Sequence, residues 1–113
     1  MVAALSGVVN RFDLKGQVLG DVALGAVIKH SSDWNLAREC VIDSGLSLRT
    51  PGVDLQRACG TSLEAAIMVA NKIALGQIEA GIAGGTDTVS DAPVVYPNEY
   101  QQLLMEIHRA RSL

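Results

Sequence analysis

This chain of 113 residues has few aromatic residues, a small net charge and no long apolar run. Aromatic side chains make up only 4% of a sequence that is 49% hydrophobic, so small aliphatic residues must form the core. The net charge of −3 provides no basic surface for nucleic acid or an anionic membrane. No apolar run reaches the roughly 18 residues that a membrane span needs, and no signal-peptide pattern is evident. We therefore expect one cytoplasmic domain without a membrane span and without a nucleic-acid partner.

Cysteine is also scarce, because only Cys40 and Cys59 are present. They form no C-x-x-C pair and lie near no histidine cluster, which argues against a zinc site. A disulfide between them stays open at this stage, although nothing else in the sequence is typical of a secreted scaffold. Cys40 falls in an apolar-periodic segment, where a cysteine is commonly a small buried side chain.

The hydrophobic pattern predicts helices and strands in alternation. The predicted helices cover 2–12, 35–44, 60–75 and 98–113, and the predicted strands cover 21–28, 53–58 and 80–85. Asn35 is a candidate N-cap for the second helix, while Gly45 and Gly76 are the expected helix stops. Strands that alternate with helices at this spacing favour a parallel sheet covered by helices, so the predicted fold class is α/β.

Cys59 is the candidate catalytic residue, because it stands where a predicted strand gives way to the long helix 60–75. Unpaired N–H groups and the positive dipole end of a helix start favour thiolate over thiol. The thiolate is the form that attacks acyl groups, so the position predicts an acyl-transfer nucleophile. His30 and the segment 87–91 follow the other two strands, and the three loops could therefore face one site. We interpret His30 as an exposed loop residue rather than a catalytic one.

The long helix that follows Cys59 has one broad apolar face, which we expect to pack toward the sheet. Its alanines would let the helix approach the sheet closely and hold the cysteine rigidly. The residues of this predicted face are Leu63, Ala66, Ile67, Ala70, Ile73 and Ala74.

Four sequence blocks carry a family resemblance. They are DVALGAVI from Asp21, NLAR from Asn35, CGTSLEA from Cys59, and ALGQ from Ala74, which leads into AGGTDTVSDAP from Ala83. In this order, over roughly residues 1–93, they resemble the N-terminal half of thiolases, the family of acetyl-CoA acetyltransferases and 3-ketoacyl-CoA thiolases. CGTSLEA stands in the place of the nucleophile box C-x-[ST]-G-x-x-A, with Ser62 where many thiolases have Gly.

The resemblance implies a thiolase-like α/β fold, present as a partial N-terminal half with a mostly parallel, helix-covered sheet. Residues 1–93 would be the partial N-terminal domain, and 94–113 would begin the loop domain. The implied activity is that of an acyl-CoA acyltransferase in fatty acid metabolism. Cys59 would take the acyl group from an acyl-CoA as a thioester during reversible condensation or thiolytic cleavage of 3-ketoacyl-CoA.

The resemblance also implies partners and structural roles. The substrates would be coenzyme A thioesters, with no resident cofactor and no metal, and the full-length enzyme would be a homodimer or homotetramer. Arg38 would be structural, bridging a loop and a helix near a subunit contact. Asp87 would fix the backbone of the Gly-Gly loop. Bulk at Ser62 would alter the preferred acyl chain.

Several thiolase elements have no counterpart in these 113 residues. The family takes its general base from a G-H-P motif, its second cysteine from C-G-G, and an oxyanion-hole partner from N-E-[AP]-F. Neither His30 nor His108 lies in a G-H-P context. The family's first strand, which by the resemblance lies centrally between the second and the fourth, is also not recognisable, and its loss would leave two inner strand edges unpaired. We therefore expect a fragment that folds poorly or pairs with a partner through those edges, and that is inactive alone.

Two other functions stay open at this stage. One is a fragment of a ketoacyl-synthase-type condensing enzyme, whose nucleophile also starts a helix; Gly84-Gly85 and the block at 35–38 favour thiolase instead. The other is a non-catalytic piece that uses the same fold for assembly or binding.

The segment 98–113 has Tyr100, Leu103, Leu104, Ile107 and Arg111 at helical spacing. Such a pattern is typical of a solvated amphipathic helix. By resemblance, it is alternatively the entry to a loop domain that covers the site and holds coenzyme A.

Overall fold

The computed structural model describes residues 1–30 and 33–110, in which helices and strands alternate as predicted. The helices are α1 (Val2–Arg11), α2 (Leu36–Ser44), α3 (Thr61–Ala74) and α4 (Asn98–Arg109). The strands are β1 (Asp21–Gly25), β2 (Gly52–Leu55) and β3 (Gly81–Gly85), and a short 3₁₀ turn at Val89–Asp91 follows β3. Arg111, which was assigned to the last helix, lies outside the described residues.

The residues predicted to begin and end the helices are confirmed in those roles. The Asn35 side chain accepts a hydrogen bond of 2.8 Å from the backbone N–H of Arg38 and so caps α2. Gly45 ends the same helix with φ of 90°, in the left-handed region that glycine adopts without strain. Gly76, with φ of 68°, follows the last turn of α3 in the same way.

The three described strands form one parallel sheet in the order β2-β1-β3. β1 pairs on both sides, with Val22 opposite Gly52 on one edge and Ile82 on the other. All five residues of β1 are buried, as expected of an apolar run covered on both faces. The prediction that two inner strand edges would be unpaired was therefore wrong, because β1 itself lies at the centre of the described sheet. The predicted α/β class is confirmed.

The two faces of the sheet differ in the size of the side chains that β1 and β3 contribute. Val22 and Leu24 of β1 point toward α1 and α2, where they join the larger hydrophobic cluster with Leu5 and Val9. On the opposite face, Ala23 packs against α3. On this face β1 and β3 carry little or no side chain at Gly25, Gly81, Ala83 and Gly85, while β2 contributes Val53 and Leu55. Because the residues of β1 and β3 are small here, α3 can lie close to the sheet.

The predicted sheet-facing side of α3 was wrong. Thr61, Ala65 and Val69 are the buried residues of this helix. Leu63, Ile67 and Ile73 are instead 67%, 45% and 42% exposed. Apolar residues cover more than half of the circumference of this helix, so its periodicity alone does not select which part of that surface meets the sheet. The rotation of α3 agrees instead with two local constraints. The space over the glycines is narrow, and the Thr61 hydroxyl accepts a hydrogen bond from the Arg57 N–H and donates one to the Ala58 carbonyl.

Asp54 on β2 joins the sheet to α2. Its carboxylate accepts hydrogen bonds from the N–H groups of Leu36 (3.0 Å) and Ala37 (2.7 Å), and from the Lys29 ammonium at 2.8 Å. Partial burial alone would raise the pKa of Asp54, but the bonds from Lys29, Ala37 and Leu36 together hold it below its ordinary value. Asp54 and Asn35 together satisfy the first N–H groups of α2.

The last helix contributes nothing to this core. No residue of α4 is buried, and the segment 92–97 that leads to it has no regular structure. The predicted boundary between 93 and 94 stays a prediction. Within the described residues, no helix is long and apolar enough to cross a membrane.

Replacing Asp54 tests the contribution of this cap. Asp54→Asn keeps the size of the side chain but removes its charge, so the N–H groups of α2 and Lys29 lose a charged acceptor. We expect the free energy of unfolding to fall by about 1–2 kcal/mol, the usual range for a lost cap. Urea denaturation measures it. Asp43→Asn, at an exposed carboxylate of α2, is the control, with a change within about 0.5 kcal/mol. Equal losses in both variants would contradict the assignment.

The lowered pKa of Asp54 also predicts an acid dependence. Because the carboxyl binds a proton less readily in the folded chain, its stabilisation is fully present above the unfolded value of about 3.9. It is lost as the pH falls through the lower folded-state pKa. The difference in unfolding free energy between the wild type and Asp54→Asn should therefore shrink on acidification. A difference that stays constant or grows toward acid pH would contradict this prediction.

Candidate functional site

Cys59 lies in a tight turn between β2 and α3. Ala58 has φ of 40°, a left-handed conformation that is uncommon for a residue with a side chain. The turn is closed by the N–H of Gly60, which donates to the Arg57 carbonyl at 2.9 Å. The Thr61 hydroxyl donates to the Ala58 carbonyl and accepts from the Arg57 N–H, both at 2.7 Å. These bonds leave the cysteine exposed immediately before the helix.

Two glycines set the distance between the start of α3 and the sheet. A Cβ atom on Gly25 would overlap the methyl group of Thr61, and one on Gly85 would overlap the Ser62 hydroxyl. Gly25 and Gly85 end β1 and β3, so the first turn of α3 rests on the carboxyl ends of both strands. Glycine is needed here for close approach rather than for its backbone angles.

An open groove of about 450 Å³ runs beside Cys59. Its apolar wall consists of Leu63 and Ile67, which follow Cys59 at successive helical turns. Its charged residues are Arg57 and Glu64, whose side chains form an ion pair with each other. Ser62 is not among the lining residues, because its hydroxyl lies against Gly85. This position does not favour the expected effect of Ser62 on acyl preference, which stays a prediction.

The loops after the three strands meet, as the sequence predicted, through hydrogen bonds. The Asp87 carboxylate accepts bonds of 2.7 Å from the N–H groups of both Val27 and Ile28. The expected backbone-fixing role of Asp87 is therefore present in the structure, and these bonds explain why β1 ends at Gly25. Across the other edge of β1, the Gln56 amide donates to the Val27 carbonyl at 3.1 Å.

The structure does not bring His30 into the groove at Cys59. Its Nε2 lies 3.1 Å from the Asp91 carboxylate, so the pair joins the loops after β1 and β3. Among the described residues, no histidine lines the groove. The interpretation of His30 as non-catalytic agrees with this position.

Arg38 and Cys40 have the structural surroundings that the sequence suggested. The Arg38 guanidinium donates to the Thr50 carbonyl at 3.0 Å and so links α2 to the loop before β2. Cys40 is 1% exposed, and burial raises the pKa of its thiol, with nearby carboxylates adding to the shift and the N-terminal ammonium opposing it. Both cysteines are free, so the disulfide that the sequence left open is not formed.

Sequence reasoning missed the polar residues that hold the turn in place. Asp54, Gln56 and the Arg57–Glu64 pair all lie in or beside β2 and the start of α3. A charged residue within an otherwise apolar strand was the available signal for Asp54. The described residues contain no group of three or more histidine, cysteine or carboxylate side chains that could hold a metal ion.

Comparisons with known proteins point to one family. The thiolase N-terminal domain family matches residues 1–112. The 3-ketoacyl-CoA thiolase of Erwinia tasmaniensis is 35% identical over 109 residues, which are 96% of this chain and 25% of that protein. The 3-ketoacyl-CoA thiolase of Colwellia psychrerythraea is 33% identical over 104 residues, 92% of this chain and 24% of that protein. The chain thus spans about a quarter of the length of these relatives.

Solved structures give the same result. The acetyl-CoA acetyltransferase of Bacillus anthracis matches with a TM-score of 0.79 and 28% identity, over 87% of this chain and 25% of that chain. Acat5 thiolase from Ascaris suum, in complex with coenzyme A, matches with a TM-score of 0.79 and 25% identity, over 86% of this chain and 25% of that chain.

The close approach of α3 can be tested at Gly85. A methyl group there would meet the Ser62 hydroxyl and lie 2.5 Å from the Gly25 carbonyl oxygen, so the helix or strand must move. We expect Gly85→Ala to lower the free energy of unfolding by about 1–3 kcal/mol, as overpacking commonly does. Urea denaturation measures the change. Gly60→Ala is the control, because its methyl group would meet no atom closer than 3.5 Å. Similar stabilities for the two variants would refute the contact.

Proposed function

The chain belongs to the thiolase family, and from that premise we propose that Cys59 is the nucleophile that accepts an acyl group from an acyl-CoA. The observation that carries the proposal is the position of this thiol. It is exposed in the turn immediately before the N-cap of α3 and lines a groove. The other cysteine, Cys40, is buried in the core and has no such access.

The first half-reaction takes place between the Cys59 thiolate and the thioester. The Cys59 thiolate attacks the carbonyl carbon of the acyl-CoA, and a bond forms between Sγ and that carbon. The bond from the same carbon to the coenzyme A sulfur then breaks. Coenzyme A leaves as a thiolate and takes up a proton, while the acyl group remains on Cys59 as a thioester.

The second half-reaction transfers that acyl group. In the condensing direction, the α-carbon of a second acyl-CoA first gives up a proton to the second cysteine that the family takes from its C-G-G motif. The resulting carbanion attacks the acyl-Cys59 carbonyl carbon, the bond from that carbon to Sγ breaks, and the product leaves as 3-ketoacyl-CoA while Cys59 returns to the thiolate. In the cleaving direction, the same steps run in reverse and coenzyme A accepts the acyl group. The substrates are thus coenzyme A thioesters, which the coenzyme A complex of the Ascaris suum thiolase supports.

We expect the 113 residues alone to be inactive in turnover, although Cys59 can still take up an acyl group in the first half-reaction. In this family the general base and the second cysteine come from G-H-P and C-G-G motifs, and this sequence contains neither. The charged residues of the Cys59 groove, Arg57 and Glu64, are paired with each other. The full activity therefore requires a base and a second cysteine that these 113 residues do not supply. We propose that the full enzyme acts in fatty acid metabolism in the cytoplasm, as a homodimer or homotetramer.

Acylation by acetyl-CoA tests the nucleophile. The purified chain is incubated with acetyl-CoA and digested, and the peptide masses are measured by mass spectrometry. We expect one acetyl group on the Cys59 peptide and none on the Cys40 peptide. The Cys40→Ala variant should keep the adduct, whereas Cys59→Ser should lose the thioester. Circular dichroism of each sample establishes that the chain is folded. A folded chain without an adduct would refute the proposal and favour the non-catalytic assembly role.

A further inference from the structure

Ala58, the residue before Cys59, is held in a backbone conformation that its side chain disfavours. Its φ of 40° lies in the left-handed region, where a residue with a Cβ atom is strained. Such strain persists only where neighbouring contacts over-determine the conformation, and it is most frequent at functional sites. The contacts that hold Ala58 therefore determine the direction in which the Cys59 side chain leaves the backbone.

The hydroxyl of Thr61 supplies the central contacts. It accepts a hydrogen bond from the Arg57 N–H and donates one to the Ala58 carbonyl, both at 2.7 Å, so one atom bridges the two residues before Cys59. The backbone adds two bonds, because the Gly60 N–H donates to the Arg57 carbonyl at 2.9 Å and the Thr61 N–H to the Ala58 carbonyl at 3.3 Å. The turn is thus fixed on both sides of Ala58.

The methyl group of Thr61 fixes the same side chain to the sheet. It lies in the space that a Cβ atom on Gly25 would fill, and Thr61 is only 5% exposed. Gly25 ends β1, the central strand of the described sheet, so the hydroxyl is held in place by the buried core. Serine would keep the hydroxyl without the methyl group, and valine would keep a methyl group without the hydroxyl. Threonine supplies both contacts.

We propose that Thr61 is a positioning residue for acyl transfer to Cys59: its hydroxyl holds Ala58 in the left-handed conformation and so directs the thiol toward the thioester carbonyl carbon. This inference rests on the proposed function and deepens it, because it assigns the direction of the nucleophile to one hydroxyl. Attack on a carbonyl carbon needs a defined approach of Sγ, and a displacement of about 1 Å can lower a rate by about 100-fold. Without the hydroxyl, Ala58 relaxes toward ordinary backbone angles and Cys59 turns away from that approach.

Removing the hydroxyl alone tests the assignment. Thr61→Val keeps a methyl group over Gly25, and the acetylation of Cys59 by acetyl-CoA is followed in time by peptide mass spectrometry. We expect its rate to fall by roughly 10-fold to 100-fold, whereas Thr61→Ser, which keeps the hydroxyl, should retain most of the rate. Iodoacetamide is small and can reach an exposed thiol from many directions, so it should alkylate Cys59 of both variants within about threefold of the wild-type rate.

Thr50→Val is the matched control. Thr50 is fully buried, and its hydroxyl likewise accepts from one backbone N–H, that of Leu19 at 3.1 Å, and donates to one carbonyl, that of Gln17 at 3.4 Å. It lies before β2, whereas Cys59 follows that strand. Both valine variants should lower the urea midpoint, because each leaves a buried N–H without its acceptor. Only Thr61→Val should slow acetylation; an equal loss in Thr50→Val would overturn the inference.

A second substitution tests the coupling to Ala58. Glycine adopts a positive φ without strain, so Ala58→Gly should make the hydroxyl dispensable. We expect the double variant Thr61→Val/Ala58→Gly to be acetylated within about threefold of the rate of Ala58→Gly alone. If circular dichroism shows that Thr61→Val by itself does not fold, this comparison decides the question. A loss of about tenfold or more in the glycine background would contradict the coupling.

The wild-type result separates this inference from the function on which it rests. A folded wild-type chain that takes up no acetyl group refutes the proposed function, and the positioning role with it. A wild-type chain that is acetylated no faster than folded Thr61→Val leaves the proposed function intact and overturns the positioning role alone.

Discussion

The contact on which the rest of this structure depends is the close approach of the first turn of α3 to the carboxyl ends of β1 and β3. It requires Gly25 and Gly85, because a methyl group at either position would overlap a side chain of that turn. The hydroxyl of Thr61, in the first turn of α3, then fixes the rotation of the helix through its hydrogen bonds to the backbone of Arg57 and Ala58. Cys59 owes its exposure and its direction to this arrangement, so the proposed chemistry depends on residues that have no side chain.

Carboxylates hold the same edge of the sheet together. Asp87 binds the backbone after β1, and Asp54 binds the first N–H groups of α2, so each joins one strand or loop to another through backbone donors. Oxygen atoms of this kind satisfy N–H groups that the sheet and helices leave unpaired. The edge is therefore well fixed near Cys59, and among the described residues that line the groove the charged ones are Arg57 and Glu64, which pair with each other. Asp54 and Asp87 thus support the backbone and do not line the groove beside the proposed nucleophile.

Much of the architecture followed from local sequence signals. The alternation of helices and strands, the cap at Asn35 and the family resemblance of the chain were all confirmed, because each depends on short-range spacing. Two predictions that needed long-range information were wrong. Among the described strands no inner edge is unpaired, since β1 lies between β2 and β3. The exposed side of α3 carries Leu63 and Ile67, which periodicity had assigned to the core.

The sequence by itself determined the elements of this protein, its membership of the thiolase family and the identity of its candidate nucleophile. Those properties reside in residue types and spacings that are independent of how the helices pack. Only the tertiary structure decided which face of α3 meets the sheet, that His30 pairs with Asp91 rather than entering the groove, and that Asp54 caps a helix from a strand. The physical reason is that a helix with a broad apolar surface can pack on the sheet in several rotations. Here Gly25 of β1 and Gly85 of β3 leave space for one of them, with Thr61 and Ser62 against the sheet.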